Sequence, residues 1–143
     1  MIVPLPSHAL ELETERLRLA PLGMDDFDIA QAVLCDPHVM HYVADAMTPE
    51  AVAEDLPKNT RRGAGGRIGI WCAMRKDTGE KIGTCVLMPV PIEEDDYNWE
   101  QIVPDTYPPG QIETGYLLVP SAWCQGFATE ICARLLRFAF DMT

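Results

Sequence analysis

The sequence predicts an α+β fold, an antiparallel sheet with helices packed against it, and three observations carry that expectation. Leu17 and Leu19 alternate with Arg16 and Arg18. Two β-rich runs, residues 68–74 and 82–88, are joined across Gly79. A third run, residues 112–119, leads through a glycine turn into an amphipathic helix. Alternation places every second side chain of a strand on one face, whereas recurrence at three and four residues marks one face of a helix.

Taken in order, residues 10–22 read as a first strand with one buried face. Asp25 and Asp26 open a helix that runs to about Leu34, with Phe27, Ile29, Ala30, Val33 and Leu34 on its buried side, and Asp36-Pro37 stops it. Thr48 caps the next helix with Pro49 at its first position, and Pro57 should end or kink it. Lys58, Arg61, Arg62 and Arg67, set among Gly63, Gly65 and Gly66, form the locally basic stretch and read as a solvated loop, with a phosphate contact as the second reading. The hairpin 68–88 turns at Lys76-Asp77-Thr78-Gly79-Glu80, with Gly79 available for positive φ.

Residues 89–110 form a long loop punctuated by five prolines. Its charges are Glu93, Glu94, Asp95, Asp96, Glu100 and Asp105, joined by Glu113 just beyond, with Tyr97, Trp99 and Tyr107 between them and no Lys or Arg. Two readings stand: an acidic surface loop, or an entrance selective for a cationic amine through charge and cation–π contact. Pro120 closes the last strand. In the helix that follows, Ala128, Ile131, Cys132, Leu135, Leu136 and Ala139 form the apolar side, and Glu130, Arg134 and Arg137 another face. Between strand and helix, Gly126 and small Ala128 permit close approach to backbone whose first-turn amides lack helical partners. Such a turn is either a structural connection or an anion site. It has neither the three spaced glycines of a dinucleotide fingerprint nor the Gly-Lys-Ser/Thr of a P-loop.

Composition bounds the function. A chain of 143 residues suits one domain, 1–143. No apolar run approaches a membrane span and no basic-then-apolar leader is present, so the cytoplasm is expected and a membrane partner is not. Cys35, Cys72, Cys85, Cys124 and Cys132 lack C-x-x-C spacing, which suggests neither a metal site nor a disulfide framework, and most should be small core residues. A net charge of −11 argues against nucleic-acid binding and favours a cationic partner or simply solubility.

The string Glu113-Thr114-Gly115-Tyr116-Leu117-Leu118-Val119-Pro120, followed by Trp123-Cys124-Gln125-Gly126-Phe127-Ala128-Thr129-Glu130, closely resembles the acetyl-coenzyme-A binding core of GCN5-related N-acetyltransferases (GNAT), RimJ/RimL type. Thr14-Glu15-Arg16-Leu17-Arg18-Leu19-Ala20-Pro21-Leu22 resembles the subgroup's opening, and Asp77-Thr78-Gly79-Glu80-Lys81-Ile82-Gly83 its hairpin. The resemblance implies a three-layer, GNAT-like mixed but mostly antiparallel sheet flanked by helices. It also implies acetyl-CoA as cosubstrate, without a metal, and transfer of the acetyl group to a primary amine, either a protein N-terminus or a small cationic amine. Glu113 would be the general base. Tyr97 and Trp99 would join it on the acceptor side. Backbone groups of Leu118 and Val119 would pair with pantetheine, and an amide near Leu118 would polarise the thioester. The turn Trp123, Cys124, Gln125, Gly126, Phe127, Ala128 and Thr129 would hold the pyrophosphate.

The sequence departs from the family pattern twice. Cys124 replaces a turn glycine, which is tolerable at negative φ. The sequence stops at Thr143, where the resembled family continues with further strands and a helix that supply the general acid, so the resemblance implies that the C-terminal strands of the fold are missing. The strand 112–119 is then expected to be an unpaired edge covered by a second copy in a homo-oligomer, unless the chain is part of a longer enzyme. A non-catalytic coenzyme-A-binding or assembly module is the alternative to an active transferase.

Overall fold

The computed structural model describes residues 2–90, 97 and 99–141. Five strands, β1 (Leu12–Glu13), β2 (Leu17–Pro21), β3 (Gly69–Arg75), β4 (Lys81–Pro89) and β5 (Ile112–Leu118), form one sheet in chain order. Every neighbouring pair is antiparallel. The helices α1 (Phe27–Leu34), α2 (Pro37–Met40) and α3 (Pro49–Asn59) intervene between β2 and β3, and α4 (Phe127–Asp141) follows β5.

Packing makes three layers. On one face Leu17, Leu19, Trp71, Cys85 and Leu87 meet Phe127, Ile131, Leu135 and Phe138 of α4. On the other, Leu22 and Cys72 meet Ile29 and Val33 of α1 and Val52 and Leu56 of α3. A smaller cluster of Ala64, Ile68, Met88, Trp99 and Ile102 closes the end of the sheet where β3 begins and β4 finishes. Lys81 bolts α1 to the start of β4, its ammonium 2.9 Å from both Asp26 and Asp28.

The structure corrects several expectations. Residues 10–22 are not one strand: Leu12 pairs with Leu19 and Glu13 with Arg18, and the Thr14 amide closes the turn on the Leu17 carbonyl at 2.9 Å. Leu12, Leu17 and Leu19 all enter the same core, and the alternation changes phase at the turn, since Leu12 and Leu17 lie an odd number of residues apart. Thr48 does cap α3, accepting from the Ala51 amide at 3.2 Å, but Pro57 lies inside the helix rather than ending it. It stands in the last turn, where it gives up the bond that an amide at this position would make to the Ala53 carbonyl, and the helix ends two residues later at Asn59. The buried stripe of α4 is Phe127, Ile131, Leu135 and Phe138, so it is rotated from the expected one and leaves Leu136 at 45% and Phe140 at 78% exposed.

The basic stretch is not a solvated loop. Ala64, Gly65 and Gly66 all have positive φ, and this tight turn leaves carbonyls that the arginines satisfy. Arg62 donates to the Gly66 and Ile70 carbonyls at 2.9 and 2.7 Å, and Arg67 donates to those of Val3 and Ala64. The Arg62 guanidinium lies 4.1 Å over the Trp71 ring, and burial pushes its pKa down to about 10. Of the cysteines, Cys72 and Cys85 are core, Cys35 and Cys132 half-buried and Cys124 exposed, and none is in a disulfide.

Candidate active site

The strand β5 organises two chemically distinct places. Its bonding pattern follows from two contacts, the Val119 amide on the Ile82 carbonyl and the Val90 amide on the Gln111 carbonyl, each at 2.9 Å. Antiparallel pairs alternate, so odd-numbered residues of β5 bond to β4 while the backbone of Ile112, Thr114, Tyr116 and Leu118 faces the free edge. The Leu118 carbonyl is already taken by the Trp123 indole N–H at 2.8 Å, which leaves the Leu118 amide. Val119 is less available than its sequence position suggests. Its amide is committed to Ile82, and its carbonyl accepts from Ala122 at 2.9 Å.

Beyond β5 a short 3₁₀ turn, Pro120–Ala122, leads into the glycine turn. The Gln125 side-chain amide donates to the Ser121 carbonyl at 2.7 Å, and Gly126 adopts φ 82°. The first bond of α4 runs from the Glu130 amide to the Gly126 carbonyl, so the amides of Phe127, Ala128 and Thr129 have no acceptor within the helix. These outward donors and the positive helix end are what an anion requires. Cys124 has φ 61°, the left-handed region, so the condition for replacing the turn glycine without strain, a negative φ, is not met. A non-glycine residue there costs about 1 kcal/mol.

Sequence reasoning missed what fixes this turn. The Glu130 carboxylate accepts from the Thr14 hydroxyl, from the Arg16 amide at 2.9 Å and from the Arg16 guanidinium at 2.8 Å. Burial pushes the Glu130 pKa up, but the bonds from Thr14 and Arg16 outweigh it and hold the carboxyl below its ordinary range. The Arg16 guanidinium also lies 4.2 Å from the centre of the Phe127 ring, and a Cβ built on Gly126 would be 3.4 Å from it. The turn between β1 and β2 thus clasps the first turn of α4.

The second place is a cleft of about 550 Å³ between β4–β5 and the segment carrying α1, α2 and α3. Glu113, Tyr97 and Trp99 all line it, so the three acceptor-side residues do come together. The Tyr97 hydroxyl donates to Glu113 Oε1 at 3.0 Å. Trp99, 9% exposed, holds Tyr97 edge-on, with ring centres 6.1 Å apart. Tyr107 is not among the lining residues. Glu93, Glu94, Asp95 and Asp96 lie outside the described residues. The other lining carboxylates belong instead to Asp45 and Asp55, which carried no motif in the sequence. Among the described residues no group of His, Cys, Asp and Glu is placed to hold a metal ion.

A layered antiparallel sheet whose edge strand runs from a carboxylate-bearing cleft to a helix-start turn defines a class of ligand-binding α+β domain. The sequence pattern described as the acetyltransferase (GNAT) domain matches residues 16–143, and the chain belongs to that family. It is 31% identical over 134 residues to the FsC-acetyl coenzyme A-N(2)-transacetylase of Aspergillus fumigatus, a match covering 91% of this chain and 52% of that protein. It is 30% identical to the Bacillus subtilis protein YkkB, covering 92% of this chain and 69% of the other. The chain therefore spans about half the length of the first relative and more of the second. An acetyltransferase structure from Agrobacterium tumefaciens superposes with a TM-score of 0.69 at 23% identity, over 99% of this chain and 70% of that one. A GNAT-family acetyltransferase from Bacillus anthracis gives 0.66 at 19% identity, over 92% and 66%.

Proposed function

We propose that residues 1–143 act as one RimJ/RimL-like, cytoplasmic N-acetyltransferase domain that moves the acetyl group of acetyl-CoA to a primary amine. The observation that carries this reading is the layout of β5. Glu113 stands in the cleft at one end, the turn amides of Phe127, Ala128 and Thr129 lie past the other, and the free Leu118 amide lies between. From Glu113 to Leu118 the strand spans about 16 Å, room for an extended arm along its edge. Family membership and the name of the Aspergillus relative support acetyl transfer to nitrogen.

The chemistry follows from the groups present. An alkyl ammonium, with an ordinary pKa of about 10 for lysine, must lose a proton before it attacks. Tyr97 occupies Glu113 Oε1, which leaves Oε2 to take that proton directly or through water. The nitrogen then bonds to the thioester carbonyl carbon, the Leu118 amide faces the developing oxyanion, and as the C–S bond breaks the departing thiolate takes the second proton that the nitrogen sheds, leaving an amide and a thiol. Nothing in this scheme needs a metal.

The second reading, a coenzyme-A-binding or assembly module, draws support from exposed apolar surface. Tyr116 on β5 and Leu136 and Phe140 on α4 are exposed beside an edge strand. A second copy covering β5 would bury them and pair its amides. Calorimetric titration with acetyl-CoA, with the mass in solution recorded, tests both readings. Saturable binding at one site per chain is expected, and a folded sample that binds none overturns the transferase reading.

A further inference from the structure

We propose that the acceptor taken by this cleft is a small amine with an apolar body and a second positive charge at its far end. The inference deepens the transferase reading and rests on it, because it takes the cleft beside Glu113 as the acceptor site.

The cleft is walled largely by apolar side chains, among them Leu34, Met40 and Met47, and its ionised lining groups among the described residues are carboxylates alone: Asp45, Asp55 and Glu113. They stand on separate walls. Glu113 belongs to the sheet, whereas Asp55 is on α3 and Asp45 on the segment between α2 and α3. One reacting ammonium needs one carboxylate, and Glu113, steadied through Oε1 by Tyr97, supplies it. Asp45 and Asp55 are then surplus to a simple amine. Asp45 is exposed, and Asp55, half-buried, forms an ion pair with Lys58 one turn along the same helix, at 3.6 Å. Charge complementarity across an apolar gap selects a molecule charged at both ends and repels one with a carboxylate at the far end. A volume of about 550 Å³ suits a small molecule rather than a folded surface.

The test is titration of the 143-residue protein, without acetyl-CoA, with three probes built on the same six-carbon chain: hexylamine, hexane-1,6-diamine and 6-aminohexanoate. The diamine should bind about tenfold tighter than hexylamine, and the aminohexanoate more weakly than either. That advantage should shrink with added salt, and to less than about threefold in the Asp45→Asn/Asp55→Asn protein. Equal binding of hexylamine and diamine overturns the proposal, as does an advantage that survives the double substitution. The probe series on the parent protein decides the matter even if the double variant fails to fold. Because no coenzyme is present, a failed acetyl-CoA titration sinks the transferase reading by itself and leaves the charge preference separately measurable.

Discussion

Arg16 and Glu130, 114 residues apart in the chain, are joined through both the backbone amide and the guanidinium of the arginine, at 2.9 and 2.8 Å. The contact links the opening motif of the sequence to the first turn of the helix whose amides form the proposed anion site. Thr14 completes the clasp.

Glu130→Gln should therefore weaken the fold as well as the turn. The glutamine keeps one acceptor oxygen but loses the charge, and we expect a loss of about 1–2 kcal/mol in urea unfolding near neutral pH. The sign with pH follows from the lowered pKa of Glu130 in the fold. Its contribution is full above the unfolded-state value, about 4.3, and fades as pH falls through the lower folded value. The difference between parent and variant should shrink on acidification through that window. A constant difference would show that the clasp is not electrostatic.

Cys124 sits at φ 61° with its side chain exposed. Cys124→Gly removes the left-handed strain but adds chain entropy to the unfolded state, for a net gain of about 0.5 kcal/mol. Cys124→Val, β-branched in the same conformation, should lose stability. Urea midpoints that rank valine above glycine would refute the assigned backbone.

Gly83 faces β5 so closely that an added Cβ would lie 2.1 Å from the Leu117 carbonyl oxygen. Backbone cannot yield as a side-chain tip can. Gly83→Ala should part β4 from β5, costing about 2–3 kcal/mol, and hydrogen exchange should quicken first at the odd-numbered amides of β5. Parent-like exchange in a folded variant would contradict the register.

Tyr97→Phe keeps the edge-on ring against Trp99 and removes the hydroxyl that donates to Glu113. If Glu113 takes the proton, kcat with an amine acceptor should fall about fivefold while KM for acetyl-CoA holds. Glu113→Gln should lose turnover and keep coenzyme binding. Gly126→Glu, which sets bulk and negative charge against the turn, should do the reverse and abolish binding. Coenzyme affinity unchanged in Gly126→Glu would remove the anion site from this turn.

How much was legible depends on the range of the signal. The Thr48 cap, the Gly79 and Gly126 turns and the hairpin of β3 and β4 are written in adjacent residues, because capping and left-handed φ are decided within a few peptide units. The glycine-turn motif and its helix were legible for the same reason. The reversal at Thr14 was not, since its one local sign is a change of phase in the alternation between Leu12 and Leu17, with no glycine or proline to mark it, and the α4 stripe was misread by part of a turn because Phe127 and Phe138 lie at the limits of the apolar repeat.

The sequence by itself determined the class of fold, the hairpin of β3 and β4 and the place of the glycine turn between β5 and α4. Tertiary structure alone decided that Arg62 is buried over Trp71, that Arg16 holds Glu130, that Tyr97 meets Glu113 and that Asp45 and Asp55 enter the same cleft. Local patterns report backbone preference. Which charge faces which depends on how distant segments cross, and that is settled only when the two faces of the sheet are covered and each buried polar group has found its partner.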